Sequence, residues 1–409
     1  MLPYYAEFAA EVTEKGIAVT GRDYAGLARG LMVLMMRIEP VCLCRGEETF
    51  RIACCHLEGK YETPVRMIHF CVFPETSFVF LKKCVRLAGV MQYTHVVLEY
   101  WGMLQYDCLK ELAWPNAFSK KQAAEIVRET EDLGMEAVPM FNHLGHAAAC
   151  RVSGGKHVVL DQNPSLATLF SPDGWSWNIF SRESAVLLGE IRKELYELYP
   201  HATFFHLGCD EVYSYENDAA AQFRMRTYLN ETLSQVHAEG KRPVIWGDML
   251  LNRNLADLDE SYFCSCEKPE DAIELLKEIP DYTLIGDWQY NVFGSPVKSS
   301  LFFKENGFDV LGVSWLEAQN YRAHIDTVRD CGLMGTMIST WHTLGQKMPQ
   351  IVAAAIQLGA FHSPWSGNEL LKIETETATL LRKVCFVEGN YKEAGWTDSQ
   401  VFLQARPME

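Results

Sequence analysis

From Arg66 onward the chain alternates short β-rich apolar runs with longer stretches of helical periodicity, and this alternation constrains the fold more than any other feature. The apolar runs fall at 65–72, 95–100, 137–142, 203–208, 243–247, 283–288, 310–315 and 335–341. A helical candidate follows each: 77–89, 120–133, 184–198, 219–239, 269–278, 299–305, 323–331 and 349–361. A strand followed by a helix returns the chain to the same end of a parallel sheet, and eight such units are the number that closes a barrel. A doubly wound open sheet is the competing solution, but it carries a glycine-rich turn after its first strand, and none stands here. The fold class expected is α/β: a (β/α)8 TIM barrel with a small N-terminal α/β domain.

That small domain is read from residues 1–60, where strands are expected at 8–12, 16–20 and 50–54 and a helix at 23–38. It is too slight to stand without docking on its neighbour. The barrel is assigned to 61–365, and a C-terminal helical extension to 366–409, with its helix at 369–384.

Composition removes several function classes. With 37 Lys+Arg against 53 Asp+Glu the formal net charge is −16, and no local basic patch offsets it. Such a surface repels a phosphate backbone, so no nucleic-acid partner is expected. No run of eighteen apolar residues exists, and 30–38 is short and interrupted by Arg37, so no membrane span is expected. The first residues lack the basic-then-apolar pattern of a signal peptide. The thirteen cysteines are odd in number and scattered, with Cys71, Cys84 and Cys385 among apolar neighbours. They read as reduced thiols of a cytoplasmic protein, and their spacing predicts neither a structural zinc site nor any other cofactor.

In a barrel of this kind chemistry sits at the C-terminal ends of the strands. Read in chain order, those ends carry His69, then Glu99-Tyr100-Trp101, Asn142-His143 with Gly145-His146, and His206-Leu207-Gly208-Cys209-Asp210-Glu211. Trp246-Gly247-Asp248, Asp287-Trp288-Gln289-Tyr290, Trp315 and Trp341-His342 complete the series. Five of the ten tryptophans thus fall on one face. Indoles around a few carboxylates suit a sugar ring, whose C–H faces pack on aromatics while its hydroxyls require polar partners. The sharpest feature is the Asp210-Glu211 pair. Neighbours on a regular strand point to opposite faces, so both acids enter one site only where the strand turns into a loop.

The His206-x-Gly208-x-Asp210-Glu211 segment resembles the catalytic signature of glycoside hydrolase family 20, the exo-β-N-acetylhexosaminidases. Val97-Leu98-Glu99-Tyr100, Gly145-His146, Cys209-Asp210-Glu211-Val212-Tyr213, Trp246-Gly247-Asp248-Met249 and Trp288-x-Tyr290 resemble the hexosaminidase D branch in particular. The 16–30 segment is similar to the small domain preceding the barrel in that family, though it starts late. The resemblance implies a retaining enzyme in which the substrate's 2-acetamido group is the nucleophile, an exception to the usual two-carboxylate scheme.

On that resemblance Glu211 is the general acid, and the chemistry asks for an apolar, indole-lined setting that raises its pKa. Asp210 stays ionised and holds the acetamido N–H, while Tyr290 donates to the acetamido oxygen. Trp246, Trp288 and Trp341 wall the acetamido pocket, with Trp315 beside them. Arg66 resembles the family arginine that grips sugar hydroxyls, although Met67 replaces the usual following glycine. His206 and His146 brace the carboxylates, and Glu99 and Asp248 are further polar candidates. His342 stands where larger relatives place a glutamate, which leaves gluco- against galacto-preference open.

The implied partner is a terminal N-acetylhexosaminide of a glycan or glycoconjugate, with the leaving group met by the 150–180 loop, Trp175 and Trp177 included. The C-terminal helix offers a surface for a homodimer. Two other classes remain at this point: a metal-dependent barrel hydrolase built on His143, His146, His206 and Asp210, and a catalytically silent sugar-binding barrel.

Overall fold

The computed structural model describes residues 6–44, 47–150, 153–215, 219–315, 317–345, 348–359 and 369–381. Eight strands close into a ring in which every neighbouring pair is parallel.

The chain begins with β1 (Phe8–Thr13), β2 (Gly16–Gly21), α1 (Tyr24–Met35), β3 (Glu39–Cys44), β4 (Glu47–Arg51) and β5 (Cys55–Glu58). The first, second and fifth strands form one antiparallel sheet, and the third and fourth form a separate hairpin. The third strand of the sheet is therefore β5, displaced from the expected 50–54 run, which straddles the end of the hairpin. Asp23 caps α1 by accepting from the Gly26 N–H at 2.7 Å, which is why the helix starts one residue inside the expected range.

The barrel strands are β6 (Val65–Val72), β7 (His95–Tyr100), β8 (Glu136–Met140), then β12 (Phe204–His206), β13 (Arg242–Trp246), β14 (Leu284–Trp288), β15 (Asp309–Ser314) and β16 (Gly335–Ser339). The intervening β9 (Ala148–Cys150), β10 (Ser153–Gly154) and β11 (Val158–Val159) form a small sheet in the excursion after β8. The alternating helices are α2 (Phe78–Val90), α3 (Lys120–Asp132), α4 (Arg182–Leu198), α5 (Ala219–Ala238), α6 (Pro269–Glu278), α7 (Lys298–Glu305), α8 (Ala318–Cys331) and α9 (Met348–Gln357). Ser77, Ser119 and Ser181 cap three of them, the second as a full capping box with Gln122.

Two apolar layers hold the ring. Inside it, Met67, Val97, Val138, Val244, Leu284, Leu311 and Met337 meet on the axis. Outside it, a larger cluster fills the space between strands and helices. Beyond α9, α10 (Glu369–Thr379) occupies the start of the expected C-terminal helix, while 382–409, Cys385 included, lies outside the described residues. Among the described residues no helix is long and apolar enough to cross a membrane.

The strand carrying the acids ends at His206 rather than at 208. Gly208 (φ 69°) and Cys209 (φ 70°) take left-handed backbone, which extended structure cannot accommodate. The segment remains pinned to its neighbours, since His143 N–H donates to the Leu207 carbonyl (2.8 Å) and Trp246 N–H to that of Gly208 (2.9 Å). Glycine is required at 208, where a Cβ would meet Asn142 Nδ2 at 2.4 Å.

Candidate active site

The turn at 208–211 solves the problem of two adjacent acids. With Cys209 and Glu211 (φ 48°) both left-handed, the side chains of Asp210 and Glu211 come round to the same imidazole. His146 Nε2 lies 3.3 Å from Asp210 Oδ2 and 3.0 Å from Glu211 Oε2. The approach is so close that a Cβ at Gly145 would strike the Asp210 carbonyl oxygen at 2.2 Å.

The electrostatics follow from that contact. Burial opposes charge on His146, but the Asp210 carboxylate and the bonds to both acids outweigh it and raise its pKa to about 9. Asp210 is 4% exposed, yet His146 and Lys156 hold it below the ordinary carboxylate value against the cost of burial. Glu211 is also held low, chiefly by the His146 hydrogen bond, with burial opposing and the Tyr213 hydroxyl (2.7 Å to Oε1) adding to it. This reverses the raised pKa expected for Glu211. The indoles lie near it, but two donors reach its oxygens first.

The elevated carboxyl is Asp248. Burial, then the charge of Asp210, lifts it to about 7. It accepts from the Glu211 N–H (3.0 Å), Ser265 Oγ (2.6 Å) and the Trp288 indole (3.0 Å), tying the acid loop to the wall of the pocket.

Across the barrel, Trp341 (φ 43°) donates its indole N–H to the Tyr290 oxygen at 2.7 Å, and Ser339 Oγ lies 3.2 Å from the same atom. Burial pushes the Tyr290 hydroxyl up, so it keeps its proton. Trp288 and Trp315 flank the phenol ring, with centroids 5.3 and 5.4 Å away. Trp246 stands behind Trp341 (5.6 Å) and is wholly buried, so it backs the wall instead of lining it.

Four residues do not make the contacts expected of them. Arg66 sits at the start of β6, at the far end of the barrel from the acids, and is 0% exposed. Its guanidinium meets Glu7 (3.1 and 3.2 Å) and the carbonyls of Thr63 and Gln92, over the Tyr61 ring. It fastens the N-terminal unit to the barrel. His206 does not brace a carboxylate: Nδ1 accepts from the Gly208 N–H, the ring packs on Trp246 at 4.3 Å, and burial lowers its pKa to about 3. Glu99 reaches the floor, but Oε2 already accepts from His69, Cys71 and Trp101, and Oε1 faces Lys156 at 2.9 Å. At 0% exposure it supports the pocket. Trp177 is likewise wholly buried, donating to the Asn142 carbonyl, so only Trp175 of that pair stays near the rim.

Lys156 is the residue that sequence reasoning missed. It is 3% exposed, with Nζ 5.0 Å from the Trp101 centroid and 4.5 Å from that of Trp341. Its only signal is a lone lysine after Gly154-Gly155 and before an apolar run. Gly155 lets it in, because a Cβ there would lie 1.9 Å from the Ala148 carbonyl.

The metal set His143, His146, His206 and Asp210 does not assemble. His143 donates from Nδ1 to the Phe141 carbonyl and accepts at Nε2 from Arg192, away from the acids. Two other groups of ligand-type atoms do converge among the described residues: His146, Asp210 and Glu211, and His69, Cys71 and Glu99. The second already has the Lys156 cation beside it.

Residues 97–278, the span from β7 through α6, match the glycosyl hydrolase family 20 catalytic domain. The matched span, somewhat under half of the chain, is similar to that family's catalytic domain. The chain is 26% identical over 169 residues to hexosaminidase D of Bos taurus, covering 38% of this chain and 46% of that protein. Against hexosaminidase D of Homo sapiens it is 24% identical over 231 residues, covering 52% and 44%. The chain thus spans less than half the length of these curated relatives. Among solved structures, the fold of a β-N-acetylhexosaminidase from Bacteroides fragilis superposes with a TM-score of 0.64 at 14% identity, covering 96% of this chain and 85% of that one. A family 20 exo-β-N-acetylglucosaminidase from Vibrio harveyi, in complex with N-acetylglucosamine, gives 0.66 at 13% identity, covering 95% and 68%.

Proposed function

We propose that this chain is an exo-acting β-N-acetylhexosaminidase that removes terminal β-linked N-acetylgalactosamine or N-acetylglucosamine with retention, using the substrate's own acetamido group. The observation that carries this reading is the meeting of adjacent Asp210 and Glu211 on one imidazole. Acids that share a histidine cannot flank opposite faces of a sugar as nucleophile and acid, and an internal nucleophile removes that need. The hexosaminidase D relatives and the N-acetylglucosamine complex of a structural neighbour support the same substrate class.

In this reading the acetamido oxygen attacks C1 as the bond to the leaving oxygen breaks, and that oxygen takes its proton from Glu211. Water then attacks C1, reopening the oxazolinium, and returns a proton to Glu211. Asp210, kept ionised, holds the acetamido N–H, and Tyr290 donates to the acetamido oxygen. Glu211 is ionised in the empty site, so it takes up its proton as substrate displaces the water around it and burial outweighs the His146 contact. Trp288, Trp341 and Trp315 meet the sugar, with Trp246 behind them. Buried thiols at Cys71 and Cys209 support a reducing, cytoplasmic setting.

The test is hydrolysis of aryl β-N-acetylglucosaminide and β-N-acetylgalactosaminide, with Glu211→Gln and Asp210→Asn as controls and a thiazoline mimic of the cyclised intermediate as inhibitor. Both substrates untouched, or wild-type turnover by Glu211→Gln, would sink the assignment. Activity lost to a chelator and restored by zinc would favour metal chemistry at His146, Asp210 and Glu211 instead.

A further inference from the structure

The one charged residue of α1, Arg29, turns inward to Glu7 and the Gly134 carbonyl. The outward face carries no charge. Tyr24, Leu27, Leu31 and Met35 follow one another at the three- and four-residue intervals of a single helix face. The Ile38 N–H donates to the Met35 carbonyl at 3.3 Å, so the last turn carries the stripe on to Ile38. All five are between 36% and 62% exposed. β2 borders this stripe. A Cβ at Gly21 would lie 2.2 Å from Leu27 N, and one at Gly30 would lie 2.8 Å from Val19, so alternation along the strand puts Ile17 in the same row. β2 is the end strand of its sheet, and no described strand pairs with its outer edge. Folded proteins guard such an edge with lysine, proline or a bulge; Gly16–Gly21, reading Gly-Ile-Ala-Val-Thr-Gly, has none of them.

The six side chains leave roughly 550–600 Å² bare, at the top of the range for a monomer's largest apolar patch. The β2 edge and the exposed Asp23, Arg37 and Glu39 at the ends of the stripe bring the face to the about 800 Å² that a stable pair covers on each side. A lipid surface is a poor occupant, because the chain carries a net charge of −16 and the stripe lacks the lysines and arginines of an interfacial helix. The spacing instead matches itself: 24, 27, 31, 35 and 38 read the same from either end, with Leu31 in the middle. We infer that α1 and the edge of β2 form an isologous interface with a second copy of this chain, the two α1 helices antiparallel and Leu31 on the two-fold axis. Tyr24 then meets the partner's Ile38 and Leu27 the partner's Met35, each contact occurring twice. A Cβ at Gly30 would touch Phe8 of β1 (3.0 Å) as well as Val19 of β2, so α1 rides over the gap between these strands. Pairing the two β2 edges at about 4.8 Å therefore sets the helix axes about 10 Å apart, the distance at which helices pack. The dimer contact lies in the N-terminal unit and leaves the C-terminal helix free of it.

The experiment is sedimentation equilibrium of the full chain between about 0.1 and 100 μM. Wild type is expected to rise from 46.5 kDa toward twice that mass. Leu31→Glu and Leu31→Lys each set like charges against one another on the axis, and each is expected to raise Kd about 100-fold or more. Mixed in equal amounts they oppose unlike charges, and at least about 10-fold of that loss is expected to return. Leu31 is half-exposed in one copy, so neither change strips the core. Should either variant fail to fold by circular dichroism, Leu27→Gln and Leu31→Gln take their place, each with an expected loss of about 10-fold. Wild type that stays at 46.5 kDa throughout would overturn the interface. So would a Leu31→Glu variant that pairs as tightly as wild type, or a mixture no tighter than its components. Monomeric wild type that co-sediments with vesicles of phosphatidylglycerol and phosphatidylcholine would overturn it in favour of a lipid surface. Mass is read and not turnover, so each outcome is independent of the reaction proposed for the pocket.

Discussion

The Nε2 atom of His146 stands within 3.3 Å of carboxylate oxygens from two consecutive residues, Asp210 and Glu211. Its folded-state pKa of about 9 lies above the 6.5 of a free imidazole. A raised histidine contributes stability that is full below pH 6.5 and is lost as pH climbs through about 9. Denaturant midpoints measured across that window are expected to fall more steeply for wild type than for His146→Gln. Parallel curves would remove the proton from this site.

Lys156 is the counter-charge for a floor that contains Glu99 and borders Asp210. Lys156→Met is expected to cost about 3–5 kcal/mol in chemical denaturation, since it leaves a buried carboxylate unpaired. The double variant Lys156→Met/Glu99→Gln is expected to regain part of that loss. A double variant no more stable than the single would show that the ion pair is not the source of the cost.

At the other end of the barrel Glu7 bonds both Arg66 and Arg29. Glu7→Gln strands two buried guanidinium groups, and a loss of about 3–5 kcal/mol follows. KM for an aryl N-acetylhexosaminide is expected to stay within about twofold of wild type, because this cluster lies away from the acids. A large rise in KM alone would return Arg66 to sugar binding.

Gly145→Ala drives a methyl into the Asp210 carbonyl oxygen. The expected outcome is a stability loss of about 1–3 kcal/mol from overpacking. A fall in kcat of about 10²-fold is expected as well, because the carboxylate shifts away from its reacting geometry. Unchanged kcat, measured on folded protein, would show that the loop adapts without moving the acid.

The barrel was legible because buried parallel strands read as short apolar runs. The runs at 65–72 and 95–100 coincide with β6 and β7, and 269–278 with α6. The strand bearing the acids was read two residues past its end, because nothing in Gly208-Cys209 announces left-handed backbone at a cysteine. At the site, Asp210, Glu211, Tyr290 and the indoles lie near strand ends, where position alone suggests a role. Lys156 comes from an excursion between strands with no periodicity, and its burial depends on packing that only the closed ring supplies. Arg66 misled for a different reason: it entered through the resemblance, although its place at the start of β6 sets it at the opposite end of the strand from the acids.

His146, Cys209, Glu211 and Trp341 all hold positive φ without being glycine, at about 1–3 kcal/mol each. Four of the six such residues in the described chain thus touch or adjoin one pocket. The consequence concerns selection. Screening random variants of this chain for heat tolerance alone would reward glycine at Cys209, which relaxes the backbone and lets the two carboxylates wander. Hardier descendants would then be poorer catalysts, and a laboratory lineage would retain activity only if turnover were scored in every round.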